Sequence, residues 1–404
     1  MRKQFIITTM LVMGLLTLQA GGYQVRLQSN RSTGMGLTGT ALQMGATSMF
    51  YNPGALAMMQ TKTDFALGAS GIISRISFQK FESDHIAETD NSMSTPFYFY
   101  GAGKINEKWS VGLAVYTPYG SSSKWEDNWA GRLLIQNISL QAIYFQPTVA
   151  YKISDKLGIG AGLVYATGKV ELQKGLNYGA DSYVKLEGST SNIGFNAGLY
   201  YNASEKLSLG LNYRSEIMME ITGGDATFNV PIAVGANIPK ENKFDAALPM
   251  PANLDFGVSY QATEKLLLSA EINYVMWSTY KELEFKFEEK GELLNSKNQR
   301  DYKDTFIPRI GAEYVYSDLL TFRIGGYYDP SPTNEKYFTP ETVSLNNLAF
   351  TLGLSITPSE KLSIDLSYLQ INGLQATKTY EPDQFGGTYK SAAYIPGIGV
   401  SYRF

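Results

Sequence analysis

The sequence predicts an all-β protein: a fourteen-stranded antiparallel transmembrane β-barrel with an N-terminal plug, or hatch, inside its lumen. Three observations predict this fold. A short polar turn recurs along the chain, apolar and polar residues alternate between the turns, and the opposite connections are long. Strands with one apolar and one polar face, joined alternately by short and long connections, are typical of outer-membrane barrels.

The first twenty residues have the pattern of a secretory signal peptide. Arg2 and Lys3 precede an apolar run from Phe5 to Leu18, which is too short to span a bilayer, and small residues follow. We predict a signal peptide over residues 1–20, with cleavage between 19 and 22. No later stretch is long and apolar enough for a membrane helix, so we expect the exported chain to enter a membrane as strands.

The composition excludes several classes of function. The 404 residues include no cysteine and a single histidine, His85, which excludes disulfides, a catalytic thiol and a paired-histidine metal site. The formal net charge of -3 and the lack of a run of Lys and Arg argue against nucleic-acid binding. No recognisable motif places a serine nucleophile beside His85. We therefore predict no enzyme activity, no catalytic residue, no metal and no cofactor.

The segment before the first strand, residues 21–61, is predicted to be the hatch. It is rich in Gly and Met and lacks the clean alternation of the later segments. A barrel of fourteen strands encloses a lumen that its own side chains do not fill. An apolar turn such as Asn52-Pro53-Gly54 is tolerable there if it faces an apolar lumen.

The barrel is predicted over residues 62–404, and the turns give its strand number. Copies of the polar turn begin at Asn106, Ser154, Ser204, Thr263 and Ser359, with a weaker one at Ser317. If both chain ends are periplasmic, six short turns join seven hairpins, which makes fourteen strands, from near residue 63 to a last strand over 391–404. Tyr residues cluster before the turns, where an aromatic girdle lies. The alternative is a secreted β-sandwich, which needs the same alternation.

Several motifs along the whole chain resemble one family, the FadL-type outer-membrane transporters of long-chain fatty acids and hydrocarbons. The similar segments are FYNPGALA from Phe50, GLAVYTPYG from Gly112, WEDNWAGR from Trp125, QPTVAYK from Gln146, MWSTYKELEF from Met276 and YYDPSPTNEKYFTPE from Tyr327. The family usually has Asn-Pro-Ala where this chain has Asn52-Pro53-Gly54, and we expect the Gly to add flexibility. The resemblance implies passive uptake of hydrophobic small molecules in the outer membrane of a Gram-negative bacterium.

The resemblance also implies a route: capture on the outer loops, transfer to a pocket above the hatch and lateral release through a kinked third strand. Asn52, Pro53 and Gly54 are then expected to form the movable, gating turn. The predicted pocket residues are of types that adapt to a flexible chain: Met44, Met49, Phe50, Tyr51 and Leu56. The predicted kink contains residues that interrupt a ladder: Tyr116, Pro118 and Gly120. The predicted capture surface is the apolar outer loop: Phe228, Val230, Ile232 and Val234.

Charged residues on inward-facing positions could bind a carboxylate, but we expect most of them to pair with one another and hold the hatch. They are Arg214, Glu271, Arg309, Glu313, Arg323 and Asp365. The expected partners are a hydrophobic small-molecule ligand, outer-membrane lipid and the barrel-assembly machinery, which would bind the C-terminal Phe404. We expect a monomer. Two other functions stay open, a docking or secretion partner for exported proteins and a general porin, although the hatch motif favours transport of small molecules.

Overall fold

A computed structural model describes residues 22–235 and 237–404, without the side chains of 234 and 235. The predicted signal peptide lies outside these residues. Twenty β-segments build a closed antiparallel barrel of fourteen strands, several of which consist of two segments in succession. The predicted fold class is confirmed.

The first seven barrel strands are β1 (Thr63–Ser70) with β2 (Ile73–Lys80), β3 (Ile86–Glu88) with β4 (Phe97–Lys104), β5 (Trp109–Lys124), β6 (Asn137–Lys152), β7 (Leu157–Gly175), β8 (Tyr183–Asn202), and β9 (Leu207–Arg214) with β10 (Ile217–Asn229). The other seven are β11 (Glu241–Met250) with β12 (Asn253–Gln261), β13 (Leu266–Val275) with β14 (Glu282–Phe287), β15 (Ser296–Gln299) with β16 (Thr305–Val315), β17 (Leu320–Asp329), β18 (Asn347–Ser359), β19 (Leu362–Tyr380) and β20 (Phe385–Arg403).

The helices of the described chain are all short. They are α1 (Asn30–Gly34), α2 (Ser48–Tyr51), α3 (Pro53–Leu56), α4 (Ile232–Gly235) and α5 (Gly291–Leu294), with 3-10 turns at Gly45–Thr47, Trp277–Thr279, Pro340–Thr342 and Glu381–Asp383. Among the described residues, no helix has the length and apolar character needed to cross a membrane.

Pairing of the first and last strands closes the barrel. Strand β1 pairs with β4 on one side and with β20 on the other. All six predicted polar turns connect neighbouring barrel strands. The connection between β10 and β11 is shorter than the predicted loop over 222–249, because the two strands continue as a hairpin and pair as far as Thr227 and Glu241. The last strand likewise begins at Phe385 rather than at residue 391.

Because apolar and polar residues alternate along the strands, the apolar side chains face the lipid and the polar side chains face the lumen. Along β9, the outward-facing Leu211 is 43% exposed, whereas the neighbouring Asn212 is completely buried. The same pattern occurs in β19, where Leu366 faces outward and Asp365 is buried. The apolar face matches the hydrocarbon of the bilayer, and the polar face supplies partners for groups in the lumen.

The N-terminal segment, residues 22–61, packs against strands on opposite sides of the barrel. Helix α1 contacts β17 to β20, whereas α3 contacts β6 to β9. The backbone of the segment comes close to the backbone of the wall where both have a glycine, as at Gly34 beside Gly353. Nearly every residue between 27 and 59 is buried, so the segment contributes a large part of the protein core.

Candidate functional site

An almost entirely apolar cavity lies in the half of the barrel opposite the short turns. It contains about 860 Å³ of atom-free space, part of which is open to solvent. Its walls come from β6, β7, β8, β10, β11 and β14 and from residues near the N-terminus. Among the lining residues are Leu140, Leu172, Met219, Phe244, Leu248 and Tyr280.

A groove among the outer loops continues from this cavity. Leu172, Leu186 and Phe285 line both spaces, so the two are contiguous. The groove adds more aromatic and aliphatic side chains, and it also has polar ones, including the ion pair between Arg300 and Glu341. A molecule with an apolar body and a polar end therefore finds matching surface in the groove.

Of the predicted capture residues, one lies in this groove. Phe228 is the penultimate residue of β10, is 4% exposed, and its ring lies 5.7 Å from that of Phe287. Val230 is half-buried and packs against the group of apolar side chains to which Phe228 belongs, whereas Ile232 is 97% exposed. The side chain of Val234 lies outside the described part of the chain.

A β-bulge interrupts the third barrel strand between the predicted kink residues Tyr116 and Gly120. Two residues of β5, Thr117 and Pro118, oppose a single residue of β6, Ile143. A bulge of this kind bends its strand and increases the local twist.

Beyond the bulge, the second and third barrel strands separate. The ladder between β4 and β5 ends where Tyr98 pairs with Tyr116, and Thr117 adds only side-chain hydrogen bonds to the start of β4. In the described chain, main-chain contact resumes where the amide of Asp90 donates to the carbonyl of Lys124. Between these points, no main chain of the described barrel strands pairs with this edge of β5.

The beginning of the N-terminal segment pairs with this edge. The amide of Val25 donates to the carbonyl of Pro118 at 2.7 Å, and the amide of Gly120 donates to the carbonyl of Tyr23 at 3.0 Å. The ring of Tyr23 lines the apolar cavity and meets Trp277 edge-on, with 5.0 Å between ring centroids. Burial raises the pKa of Tyr23 well above its ordinary value, so the phenol is neutral in the pocket.

Asn52 joins the N-terminal segment to the wall. Its side chain is completely buried and caps α3, with Oδ1 accepting a hydrogen bond from the amide of Gly54 at 2.9 Å. Its Nδ2 donates to the carbonyls of Thr40 at 2.7 Å and Leu199 at 3.0 Å. Pro53 occupies the first position of the helix, where its missing amide hydrogen is not needed.

Gly54 lies directly against the backbone of β7 and β8. A Cβ at this position would come within 2.7 Å of the carbonyl oxygen of Gly198 and 2.9 Å of that of Gly158. The surroundings of Gly54 therefore require a residue without a side chain, because the backbones pack closely there. The sequence had led us to expect flexibility instead.

The five residues predicted for the ligand pocket lie elsewhere. Met44, Met49, Phe50, Tyr51 and Leu56 are all buried, and none of them lines the apolar cavity. They pack where α2 and α3 meet the wall: Gln146 and Asn196 donate to the carbonyl of Met49, and Arg214 donates to that of Phe50 at 2.8 Å.

The lining of the apolar cavity could have been recognised from an inverted alternation. Towards the outer ends of the strands, apolar residues turn inward and polar ones outward. In β6, Leu140 lines the cavity while Ser139 and Gln141 are exposed; in β7, Leu172 is buried beside the more exposed Glu171. Outside the bilayer the outer face of a strand meets water, so the apolar residues belong to the lumen.

Ion pairs tie the N-terminal segment to the lumen wall. Arg26 contacts Asp255 at 2.9 Å and Glu271 at 2.5 Å, and all three side chains are almost inaccessible. Burial alone would lower the pKa of Arg26, but the two carboxylates outweigh it and hold the pKa above its ordinary value. Arg31 makes a bidentate contact with Glu313, at 2.9 Å and 2.8 Å.

Comparison with known proteins gives consistent matches. The sequence model of the outer membrane protein transport protein family (OMPP1/FadL/TodX) matches residues 12–404. The 47 kDa outer membrane protein of Pasteurella multocida is 27% identical over 76% of each chain, and the long-chain fatty acid transport protein of Salmonella typhi is 22% identical over 95% of this chain and 94% of its own. The crystal structure of a Pseudomonas aeruginosa FadL homologue superposes with a TM-score of 0.82 at 18% identity, covering 95% of this chain and 100% of that one.

Proposed function

The chain belongs to the outer membrane protein transport protein family (OMPP1/FadL/TodX), and on this basis we propose that it takes up fatty acids or hydrocarbons by passive diffusion. The family membership predicted from sequence motifs and the location in the outer membrane of a Gram-negative bacterium are both confirmed. The observation that carries the proposal is a continuous path, almost entirely apolar in the lumen and partly apolar in the outer groove. It runs from the outer groove into the lumen cavity and ends at the N-terminal segment, beside the break in the wall.

The size of the hydrophobic effect explains why such a path is needed. A fatty acid with about fifteen methylene groups would lose about 12 kcal/mol on leaving an apolar site for water, at about 0.8 kcal/mol per CH₂. A water-filled pore does little for such a molecule. Successive apolar sites, each in contact with the next, let it cross without entering water.

The proposed route has three stages. The ligand is captured in the outer groove, where Phe228 contributes to the floor, and passes into the apolar cavity across the shared lining. Release is lateral, at the bulge of β5, once residues 22–25 leave the edge with which they pair. The rest of the N-terminal segment acts as the plug that closes the direct path to the periplasm, and Asn52 to Gly54 hold it against the wall.

A pair of leucine substitutions tests this function. Leu140→Trp fills the apolar cavity, whereas Leu163→Trp places the same side chain on the lipid face, where Leu163 is 57% exposed. We expect Leu140→Trp to reduce uptake of radiolabelled oleate into a Gram-negative host without its own transporter at least tenfold, and Leu163→Trp to leave it unchanged. Equal uptake by both variants, each present as a heat-modifiable barrel, would contradict the proposed path.

A further inference from the structure

We propose that the apolar cavity has a second, lateral entrance between β8 and β10, through which apolar molecules dissolved in the outer leaflet of the membrane enter without crossing the outer groove. This inference rests on the proposed function and specifies where its ligands come from. It follows from three features of the wall: an interrupted ladder, the side chains that bridge the interruption and the cavity that lies behind it.

The ladder between β8 and the strand formed by β9 and β10 is interrupted. The last ladder pair is Asn196 with Arg214 on one side of the interruption and Glu187 with Asp225 on the other. Between these pairs, the described residues of the two strands form no ladder pair. Each strand keeps its other neighbour, because β8 stays paired with β7 and β10 with β11. The wall is therefore divided here although both strands remain part of the barrel.

Two side chains of β8 bridge the interruption in place of a ladder. The hydroxyl of Thr190 donates to the carbonyl of Glu220 at 2.5 Å, and Nδ2 of Asn192 donates to the carbonyl of Met218 at 2.7 Å. Main chains joined by a ladder lie only about 4.7–4.9 Å apart, so a side chain placed between two strands keeps them farther apart than a ladder does. Separating the strands at this point breaks these two hydrogen bonds and no ladder.

The exposure of Asn192 is a consequence of this separation. Side chains alternate between the two faces of a strand, so Asn192 shares the lumen-facing positions with Gly194 and Asn196, which are both buried. Asn192 is nevertheless exposed and does not line the apolar cavity. Its side chain therefore lies within the wall itself and is reached from the outer face.

The apolar cavity lies directly behind the interruption. Thr190 lines it from β8, and Met219 and Ile221 line it from β10. The Ile221 side chain lies against Gly188, where a Cβ would come within 2.7 Å of its Cγ2. An aliphatic side chain covers the interruption without fastening it, because it changes rotamer without breaking a hydrogen bond.

The interruption begins near the outer edge of the hydrocarbon layer. β9 follows a short turn directly and has 8 residues, Leu207–Arg214, whereas a tilted strand needs about 9–11 residues to cross the layer. Around the interruption, Ile193 and Phe195 of β8 are exposed and apolar. Glu216 and Glu220 of the neighbouring strand are exposed and charged. Such a mixture is expected where acyl chains meet the polar headgroups.

An entrance at this depth suits molecules that partition into membranes. An apolar molecule in the outer leaflet would have to re-enter water to reach the outer groove, which the hydrophobic effect disfavours. Passage between β8 and β10 takes it from acyl chains directly to Met219 and Ile221. The break at β5 is a separate opening, because it lies between other strands and is filled by residues 22–25.

Photo-crosslinking from the membrane tests the inference. The mature barrel is placed in nanodiscs that contain a phosphatidylcholine with a diazirine on one acyl chain, a probe that does not leave the bilayer to reach the groove. After irradiation, labelled residues are identified by mass spectrometry. Met219 and Leu369 are a matched pair, because both face the lumen and are almost completely buried, but the ladders on both sides of Leu369 are continuous. We expect Met219 to be labelled and Leu369 to remain unlabelled.

Two double variants test the bridge. Thr190→Val with Asn192→Leu keeps the side-chain volumes and removes both donors. It should raise labelling of Met219 about fivefold or more, because each lost hydrogen bond contributes a factor of at least about two. Ser189→Ala with Ser191→Ala, at exposed positions of the same strand, should leave labelling unchanged. Equal labelling of Met219 and its matched control residue in the wild type, or no increase when the bridge is removed from a heat-modifiable barrel, would overturn the entrance.

A free probe separates this inference from the proposed function. A dodecane that carries a diazirine is added from the aqueous side, so that the outer groove is also open to it. If it labels Leu140 in the cavity while the phosphatidylcholine probe does not reach Met219, the lateral entrance is wrong and the proposed function stands. If it labels no cavity residue of the folded wild-type barrel, the proposed function is contradicted and the inference fails with it.

Discussion

Replacing Asn52 with Ala should release the N-terminal segment from the wall while leaving the barrel folded. The Asn52 side chain is completely buried and makes three hydrogen bonds, one within α3, one to Thr40 in the same segment and one to Leu199 in β8. None of these bonds belongs to the inter-strand ladder. The substitution therefore weakens the attachment of the segment and not the closure of the barrel.

The size of the effect follows from the one bond that reaches the wall, since the bonds to Gly54 and Thr40 lie within the segment. A buried hydrogen bond contributes about 0.5–1.5 kcal/mol net, so loss of the bond to Leu199 weakens attachment by about that amount. Because about 1.4 kcal/mol corresponds to a factor of ten, the released fraction should rise roughly 2- to 12-fold.

Cysteine labelling measures this fraction directly, since the chain has no cysteine of its own. Met58 is 4% exposed in the attached segment, and Met58→Cys introduces a smaller side chain that reacts with a maleimide only when the segment is released. The labelling rate in Asn52→Ala should exceed the rate in the parent by the factor given above. Asn192→Ala is the matched control, because Asn192 is exposed on the same strand as Leu199 and donates to the carbonyl of Met218 at 2.7 Å.

The reasoning fails if the two labelling rates are equal while Asn52→Ala still runs as a heat-modifiable barrel. Such a result would mean that the ion pairs of the segment hold it without help from Asn52. An equal acceleration in Asn192→Ala would show that the assay reports loosening of β8 rather than release of the segment.

Three further substitutions probe other parts of the structure. Arg26→Met leaves the carboxylates of Asp255 and Glu271 buried without their cation and should destabilise the protein by about 3–5 kcal/mol, measured by denaturant unfolding in detergent. Gly54→Ala forces a methyl group against two backbone carbonyls and should cost about 1–3 kcal/mol in the same assay, with unchanged stability contradicting the close packing. Pro118→Val restores an amide in the bulged strand, which should straighten the strand and lower oleate uptake; uptake at the parent level would place the exit elsewhere.

Strand number was predictable because a barrel repeats one local unit. Each copy of the polar turn specifies a hairpin, and the alternation between the turns specifies which face meets lipid. This is why six short turns were enough to predict fourteen strands and closure between the first and last. The outer ends of β10, β11 and β20 were predicted less well, because a strand outside the bilayer keeps its hydrogen bonds to its neighbours while its pattern of exposure inverts.

The site was less predictable, because lumen contacts join residues that are far apart in the chain. Nothing near Asn52 in the sequence indicates the carbonyl of Leu199. The Met and aromatic residues around Asn52 pack against the wall at the end with the short turns, so their type alone did not identify them as core. By contrast, the bulge near Pro118 was indicated locally, since proline cannot donate to the ladder.

The two parts of the N-terminal segment are held by different chemistry, and this difference determines which part moves on release. From Arg26 onward, buried ion pairs and Asn52 attach the segment, and breaking any of them leaves a buried polar group without a partner. Before Arg26, neutral hydrogen bonds hold the segment at the break in the wall: two main-chain bonds to β5, one from the Tyr23 hydroxyl to the carbonyl of Pro249 and one from Gln24 to Asn253. The Tyr23 ring also packs among Trp277 and other aromatic residues. An entering alkyl chain can take that place, so its own burial offsets the exposure of Tyr23. Under the proposed route, we therefore expect the entering ligand to favour displacement of residues 22–25 and so to open its own exit.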